Sequence, residues 1–333
     1  MRAAAISCTG PASQIQIVEM PKPVPGPNDV LVRVEAVAVN PIDTYIRAGV
    51  VKMELPLPWI PGCDVAGVVE AVGAEVTRFT AGDRVWGSNQ SLFGRQGTFA
   101  EFCAIDEQWL YRTPAEVTSQ QAAAGALTGI TAHLGLHLHG GLRDSGEVLF
   151  VNGGSGGVGS VVIQLAKAAG ATVITTAGTA DKLAASRELG ADEVINYREE
   201  DVDQRLAEIM ERTGPVTFWW ETLRTPTPDR TVAAMAKRGR IILMAGRDAR
   251  PEFPVGPFYV KDLRLIGFAM FNASPAEQRA AADDLNRLMS AGKLVPRISR
   301  VMMLEEAAAA HQLQEDNTLS GAGTLSGKIV LTP

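Results

Sequence analysis

An apolar run empties into five glycines between Glu147 and Gly159, EVLFVNGGSGGVG, and the residues that follow, SVVIQLAKAAG, carry the pattern of a helix. Gly154, Gly156 and Gly159 stand at G-x-G-x-x-G spacing, with Ser155, Gly157 and Val158 between them. Each glycine answers a separate need: the first permits a tight turn, the second lets backbone approach a pyrophosphate, and the third lets helix pack close to strand. The helix that starts there adds unpaired N–H groups and the positive end of its dipole. The strand-before, helix-after context is met, so the stretch predicts a dinucleotide-binding loop.

Folds that bind NAD commonly place Asp or Glu about 20 residues beyond the glycines, at the end of the second strand, to accept hydrogen bonds from the ribose 2′-hydroxyl. Here that strand ends in Ala177-Gly178-Thr179. No carboxylate stands there to repel a 2′-phosphate, and the choice falls on NADPH. Asp181, the nearest acid, lies in the first turn of the next predicted helix, where the dipole favours acids whatever the ligand. Metal chemistry has little support. Cys8, Cys63 and Cys103 are an odd number at unmatched spacings, which builds neither a disulfide framework nor a four-cysteine zinc site. His133 and His137 are at i, i+4 on a predicted helix with His139 beyond, but no acid accompanies them in HExxH order, and no metal site is assigned.

The elements that must hold these residues come in two styles. From Ala3 to Val72 the chain reads as short strands punctuated by the prolines 21, 23, 25 and 27; Val30, Val32 and Val34 alternate with Leu31, Arg33 and Glu35, and Asn40-Pro41 starts a helix with asparagine as its cap. From about Ala122 long strands and helices alternate: Ala171–Thr176, Ala180–Leu189, Glu193–Ile195, Asp201–Arg212, Val216–Trp220, Pro228–Lys237, Arg240–Gly246 and Leu263–Met270. That rhythm predicts an α/β fold, a doubly wound parallel (Rossmann) sheet beside a mainly β domain. The tail, with helices at 275–291 and 304–314 and a last strand at 328–331, returns to the first style. The expected domains are 1–124, 125–265 and 266–333, the first and last forming one body.

With 333 residues, 46% hydrophobic and 20% charged, the chain suits two ordinary soluble domains. A net charge of −6 without a basic run argues against nucleic acid and anionic membranes as partners. No leader and no run of about 18 apolar residues is present, so a cytoplasmic location is expected, and the odd cysteine count fits a reducing compartment.

Six motifs, VNPIDTYIRAG from Val39, PGCDVAGVVEAVG from Pro61, GDRVWG from Gly82, GGSGGVG from Gly153, TTAGTADK from Thr175 and GADEVINYREED from Gly190, together resemble the zinc-free quinone oxidoreductases, the zeta-crystallin group of the medium-chain dehydrogenase/reductase superfamily. The resemblance spans nearly the whole chain. It implies a GroES-like catalytic domain made by the two chain ends around a central Rossmann domain, an active site in the cleft between them, NADPH-driven reduction of quinones and sometimes enones, and assembly as a homodimer or homotetramer. Lys182 and Tyr197 match positions that hold the 2′-phosphate in NADPH-using relatives. Gly246 and Phe268 to Met270 are implied to line the nicotinamide, and Ser326 and Lys328 to meet the cofactor from the last strand.

Zinc-dependent relatives carry cysteine where this chain has Asn40, and Gly-His-Glu where it has Gly62-Cys63-Asp64. An amide and one thiol do not assemble a catalytic zinc site. Without a metal the acceptor must itself be electrophilic, and hydride transfer then rests on positioning and on hydrogen bonds to the developing oxyanion. The candidates for those bonds are the Asn40 amide, the Tyr45 hydroxyl and the Thr128 hydroxyl, with Asn40 also touching the nicotinamide ribose. Two departures from the family stand out: Val51 where some relatives have a second tyrosine, and FWWETLRTP from Phe218, whose Trp219 and Trp220 either crowd the region over the adenosine and narrow the cleft or are core residues of a buried strand. Arg247 and Arg250 are placed either to meet an anionic substrate or to stay solvated. The alternatives are an enone or enoyl-thioester reductase and a non-enzymatic crystallin-like or RNA-binding role.

Overall fold

A computed structural model describes Met1–Pro333. The chain divides into two units, Met1–Ile130 with Ser274–Pro333, and Thr131–Ala273. The first unit starts with the antiparallel pair β1 (Arg2–Ala5) and β2 (Gln16–Glu19). Its centre is β3 (Asp29–Val39), followed by α1 (Pro41–Arg47), β4 (Val65–Val72), β5 (Arg84–Gly87), β6 (Phe102–Asp106), β7 (Leu110–Arg112) and α2 (Ser119–His133). β3 pairs antiparallel with β4 along most of its length and with β6 through its first half. The valine alternation anticipated for β3 is therefore part of a strand buried on both sides.

The second unit holds β8 (Val148–Val151), α3 (Gly157–Ala168), β9 (Thr172–Ala177), α4 (Ala180–Glu188), β10 (Glu193–Asn196), α5 (Val202–Thr213), β11 (Val216–Glu221), α6 (Pro228–Ala234), β12 (Met235–Leu243), α7 (Val255–Val260) and β13 (Arg264–Ile266). Its sheet is parallel, in the order β10-β9-β8-β11-β12-β13, the doubly wound order with its switch between β8 and β11. The chain then returns to the first unit as α8 (Pro275–Ser290), β14 (Ile298–Met303), α9 (Ala307–Thr318) and β15 (Lys328–Thr332). β15 pairs antiparallel with the C-terminal end of β3, so the last strand closes against an early one. No helix is long and apolar enough to cross a membrane.

Several element ends differ from expectation. The unit boundary falls inside α2, a continuous helix that also runs through the 124/125 boundary read from the sequence. The second boundary lies at Ser274, whose side chain and that of Glu277 form a capping box with Pro275 at the first helical position. α6 stops at Ala234 and β12 starts at once, with Arg238 in the left-handed region at φ 62°. α7 was not anticipated, because PVGPFYV has poor helix formers; Phe258 packs it against the sheet core. The strand expected over Leu263–Met270 is only three residues long, and a 3-10 turn takes up Met270–Asn272.

Trp219 and Trp220 are core residues of β11, 1% and 0% exposed. Trp219 stacks on Phe150 of the neighbouring strand at 4.0 Å between ring centroids. Trp219→Ala is expected to cost ~3–5 kcal/mol in urea unfolding, the range for emptying a fully packed aromatic site; a loss near zero would mean that the ring does not support the sheet.

Candidate active site

In the second unit the glycine loop sits at the C-terminal end of β8. A Cβ on Gly154 would lie 2.4 Å from Thr175 Oγ1, and one on Gly159 would lie 2.4 Å from the Gly153 carbonyl oxygen, so side chains are excluded there by contact. Gly156 is the cap residue of α3 and no side chain caps that helix. Its first N–H groups therefore face outward for an anion. Ser155 is buried, while Gly156, Gly157 and Val158 are half-buried at the mouth of the loop. This cradle fits a pyrophosphate.

A buried polar chain lies under the loop. The Asn152 amide donates to Glu221 Oε1 at 2.8 Å, Leu223 N–H donates to the same oxygen at 2.8 Å, and the Trp219 indole donates to Oε2 at 3.2 Å. The Gly153 N–H donates to Thr176 Oγ1 at 3.2 Å. Burial pushes the Glu221 carboxyl up despite its donors. The ends of β8, β9 and β11 are thus tied together where the loop begins, by residues that the motif did not name.

Ala177 and Gly178 close β9, and Thr179 caps α4. A Cβ on Gly178 would fall 2.4 Å from the Tyr197 ring, so the half-exposed tyrosine lies directly against this glycine. Burial lowers the pKa of Lys182, and the positive charge of Arg198 lowers it further. Two cations and a phenol at a strand end without a carboxylate suit a dianionic group. Arg198 escaped the sequence reading although it stands in the INYREED motif. Gly246 follows β12 at φ +66°, Phe268 stacks on His139 at 4.6 Å, and Met270 is buried. His133 and His137 approach at 4.6 Å, but no three His, Cys, Asp or Glu converge as a metal requires. Arg247 and Arg250 are exposed.

The first unit contains the other cluster. Asn40, Asp43, Cys63 and Asp64 are wholly buried and Lys328 is 5% exposed. Lys328 Nζ donates to the Val39 carbonyl and to Asn40 Oδ1. The Asn40 amide donates to Asp64 Oδ2 at 2.8 Å and to the Ala38 carbonyl at 3.3 Å. Asp64 Oδ1 accepts from Ser88 Oγ at 2.7 Å and from Leu127 N–H at 3.1 Å. Asn40 and Asp43 stand at capping-box spacing at the start of α1, and Asp43 Oδ2 accepts the Asn40 N–H at 2.8 Å. The Cys63 thiol beside Asp43 favours its charged form, though without full hydrogen-bond geometry to Oδ1. Burial raises Asp43 to about 7, raises Asp64 and Cys63, and lowers Lys328.

These bonds change what the predicted residues can do. Both amide hydrogens of Asn40 are taken, which leaves only an Oδ1 lone pair and removes it as an oxyanion donor. Thr128 Oγ1 donates to the Ala124 carbonyl at 2.9 Å, so it too retains only acceptor capacity. Tyr45 lies half-buried near the end of α1. Lys328 is held by Asn40 and the Val39 carbonyl rather than turned to solvent.

Two family models match, the zinc-binding dehydrogenase family over residues 157–287 and the alcohol dehydrogenase GroES-like domain over residues 26–115. The quinone oxidoreductase of Sus scrofa is 35% identical over 309 residues, covering 93% of this chain and 90% of that protein. The chain belongs to the quinone oxidoreductase family. Within the medium-chain dehydrogenase/reductase superfamily it is also similar to the solved quinone oxidoreductase of Escherichia coli in complex with NADPH, at 28% identity and a TM-score of 0.85, with all of both chains covered. A solved NAD-dependent alcohol dehydrogenase superposes with a TM-score of 0.88 at 30% identity, again over all of both chains. The quinone oxidoreductase scaffold therefore accounts for both units and for the glycine loop.

Asp43 and Asp64, like Arg198, are residues to which sequence reasoning gave no role. The signal was present: N-x-x-D at the start of α1 is a capping spacing, and Asp64 lies inside the PGCDVAG motif. The unfolded chain releases the Asp43 proton near its ordinary value of 3.8, whereas the folded chain keeps it to about 7. Between those values folding takes up a proton, so stability falls as pH rises, and outside them Asp43 adds no slope. Asp43→Asn should flatten that part of a pH series of urea unfolding midpoints; an unchanged slope would show that Asp43 titrates alike in both states.

Proposed function

We propose that this chain is an NADPH-dependent reductase of quinones and similarly activated carbonyls that works without a metal. The reaction balances as quinone plus NADPH plus one proton giving hydroquinone and NADP+. NADPH when bound supplies the hydride. The chain's residues bind, orient and protonate. The glycine loop and the open end of α3 hold the pyrophosphate, and Lys182, Tyr197 and Arg198 hold the 2′-phosphate, while Ala177 to Thr179 leave room for it. Gly246, Phe268 and Met270 line the nicotinamide. Asn40 Oδ1, fixed by Lys328, accepts from a hydroxyl, as does Thr128 Oγ1. The Tyr45 hydroxyl near the end of α1 is assigned to face the quinone oxygen.

One observation carries the metal-free part of this reading. Asn40 and Cys63 stand where zinc-dependent relatives have ligands, and here they are locked into a buried hydrogen-bonded cluster with Asp43, Asp64 and Lys328. An amide and a single thiol also fall short of the three protein ligands that a catalytic zinc requires. An acceptor that needs no Lewis acid matches such a site.

Turnover of quinones, enones, enoyl thioesters, aldehydes and alcohols with NADPH and with NADH, on chelator-treated protein of known metal content, tests the proposal. Quinones should be reduced and simple alcohols left untouched. Activity that tracks one zinc per chain would overturn it. Lys182→Ala should weaken NADPH by roughly 1 to 3 kcal/mol for loss of a charge-assisted contact and leave NADH unchanged; equal loss of both cofactors would take Lys182 away from the 2′-phosphate.

A further inference from the structure

The segment after α1 and the loop after β5 form the two walls of a notch of about 360 Å³, lined by Met53, Glu54, Leu55, Pro56, Phe93 and Gly94. Both walls grow out of the site described above. The first leaves α1 through Val50 and Val51, whose N–H groups donate to the Tyr45 carbonyl at 2.9 and 3.1 Å. The second starts at Ser88, bonded to Asp64, and continues with the Gln90 N–H donating to the Cys63 carbonyl at 3.3 Å.

The walls are fastened rather than merely adjacent. Gln96 Nε2 donates to the carbonyls of Pro56 and Pro58 at 2.9 Å each, and Gln96 Oε1 accepts from Ile60 N–H at 2.8 Å. Arg95 donates to the Asn89 carbonyl at 2.6 Å and lies over the Phe93 and Trp109 rings. The loop is also held at a cost. Asn89, Ser91 and Phe93, none of them glycine, have φ of 72°, 66° and 54°, and Asn89 Oδ1 and Ser91 Oγ are buried without a partner. Strain of this kind persists where the surrounding structure imposes it, and it gathers at ligand sites. Its product here is Phe93 standing 62% exposed at the edge of the notch.

We infer that this notch seats an apolar side chain of the quinone acceptor, with the quinone ring toward Tyr45. The inference rests on the quinone reading of the reaction. A volume near the lower end of small-molecule sites takes a ring substituent rather than a whole cofactor. Met53, Leu55, Pro56 and Phe93 give the lining apolar side chains to meet such a substituent, and the Glu54 carboxylate among them disfavours an acidic tail.

The test uses benzoquinones of one ring pattern that carry a hydrogen, a single prenyl unit or a long alkyl chain. The intact protein should prefer the prenylated acceptor over the unsubstituted one by about 10-fold in kcat/KM. Phe93→Ala and Met53→Glu should erase that preference and leave turnover of the unsubstituted quinone in place. Equal rates along the series, or a preference untouched by both variants, would overturn the inference. Calorimetric binding of the redox-inert prenylated dimethoxybenzene separates this from the reaction itself. Binding weakened about 10-fold by both variants upholds the notch even if no quinone is turned over, whereas variant-independent binding rejects it even if quinones are reduced.

Discussion

A buried ammonium must be paired and hydrogen-bonded, and the first unit is arranged around meeting that demand for Lys328. Its partners come from elements far apart in the chain: the Val39 carbonyl at the end of β3, Asn40 at the start of α1, and Asp64 just before β4, reached through the Asn40 amide. Ser88 after β5 and the Leu127 N–H of α2 complete the Asp64 carboxylate. The last strand is thereby tied to the first long one by charge as well as by the ladder between β15 and β3. Such a cluster adds less to net stability than an apolar core of equal volume; what it specifies is which atoms point where.

That specificity decides the chemistry open to Asn40. An amide offers two hydrogens and an oxygen, and an isolated asparagine at the start of a helix is free to cap it. In the folded chain both hydrogens are committed and Asp43 accepts the Asn40 N–H at the helix start, so the amide presents its oxygen alone. The second unit repeats the device. Glu221, Asn152 and Thr176 link three strand ends beneath the glycines, so the loop that meets phosphate rests on a polar brace as well as on apolar packing.

Much of this was legible from residue types. The glycine spacing after an apolar run located the cofactor loop, and steric contact at Gly154 and Gly159 explains why no other residue serves there. The doubly wound sheet followed from the alternation of strands and helices, and its strand order places the loop at the switch point. For Trp219 and Trp220 the residue types left cleft and core both open, and burial decides for the core. Element ends fared less well at α6, α7 and β13, where packing of Phe258 and a left-handed Arg238 override local propensity.

Side-chain allegiance was not legible, because hydrogen-bond partners are set by approach in space. Arg198, Asp43 and Asp64 each stood inside a motif that was read for other residues. The Asp43 contact with Asn40 is local, but the roles of Arg198 and Asp64 depend on Lys182, Asn40 and Lys328, which are brought close to them only by folding. By itself the sequence determined the fold class, the family and the loop for a dinucleotide, since these rest on periodicity and on where glycine alone fits. Only the tertiary structure decided that Asn40 is an acceptor and Thr128 a spent donor, because a polar group's remaining capacity is what its buried neighbours leave over.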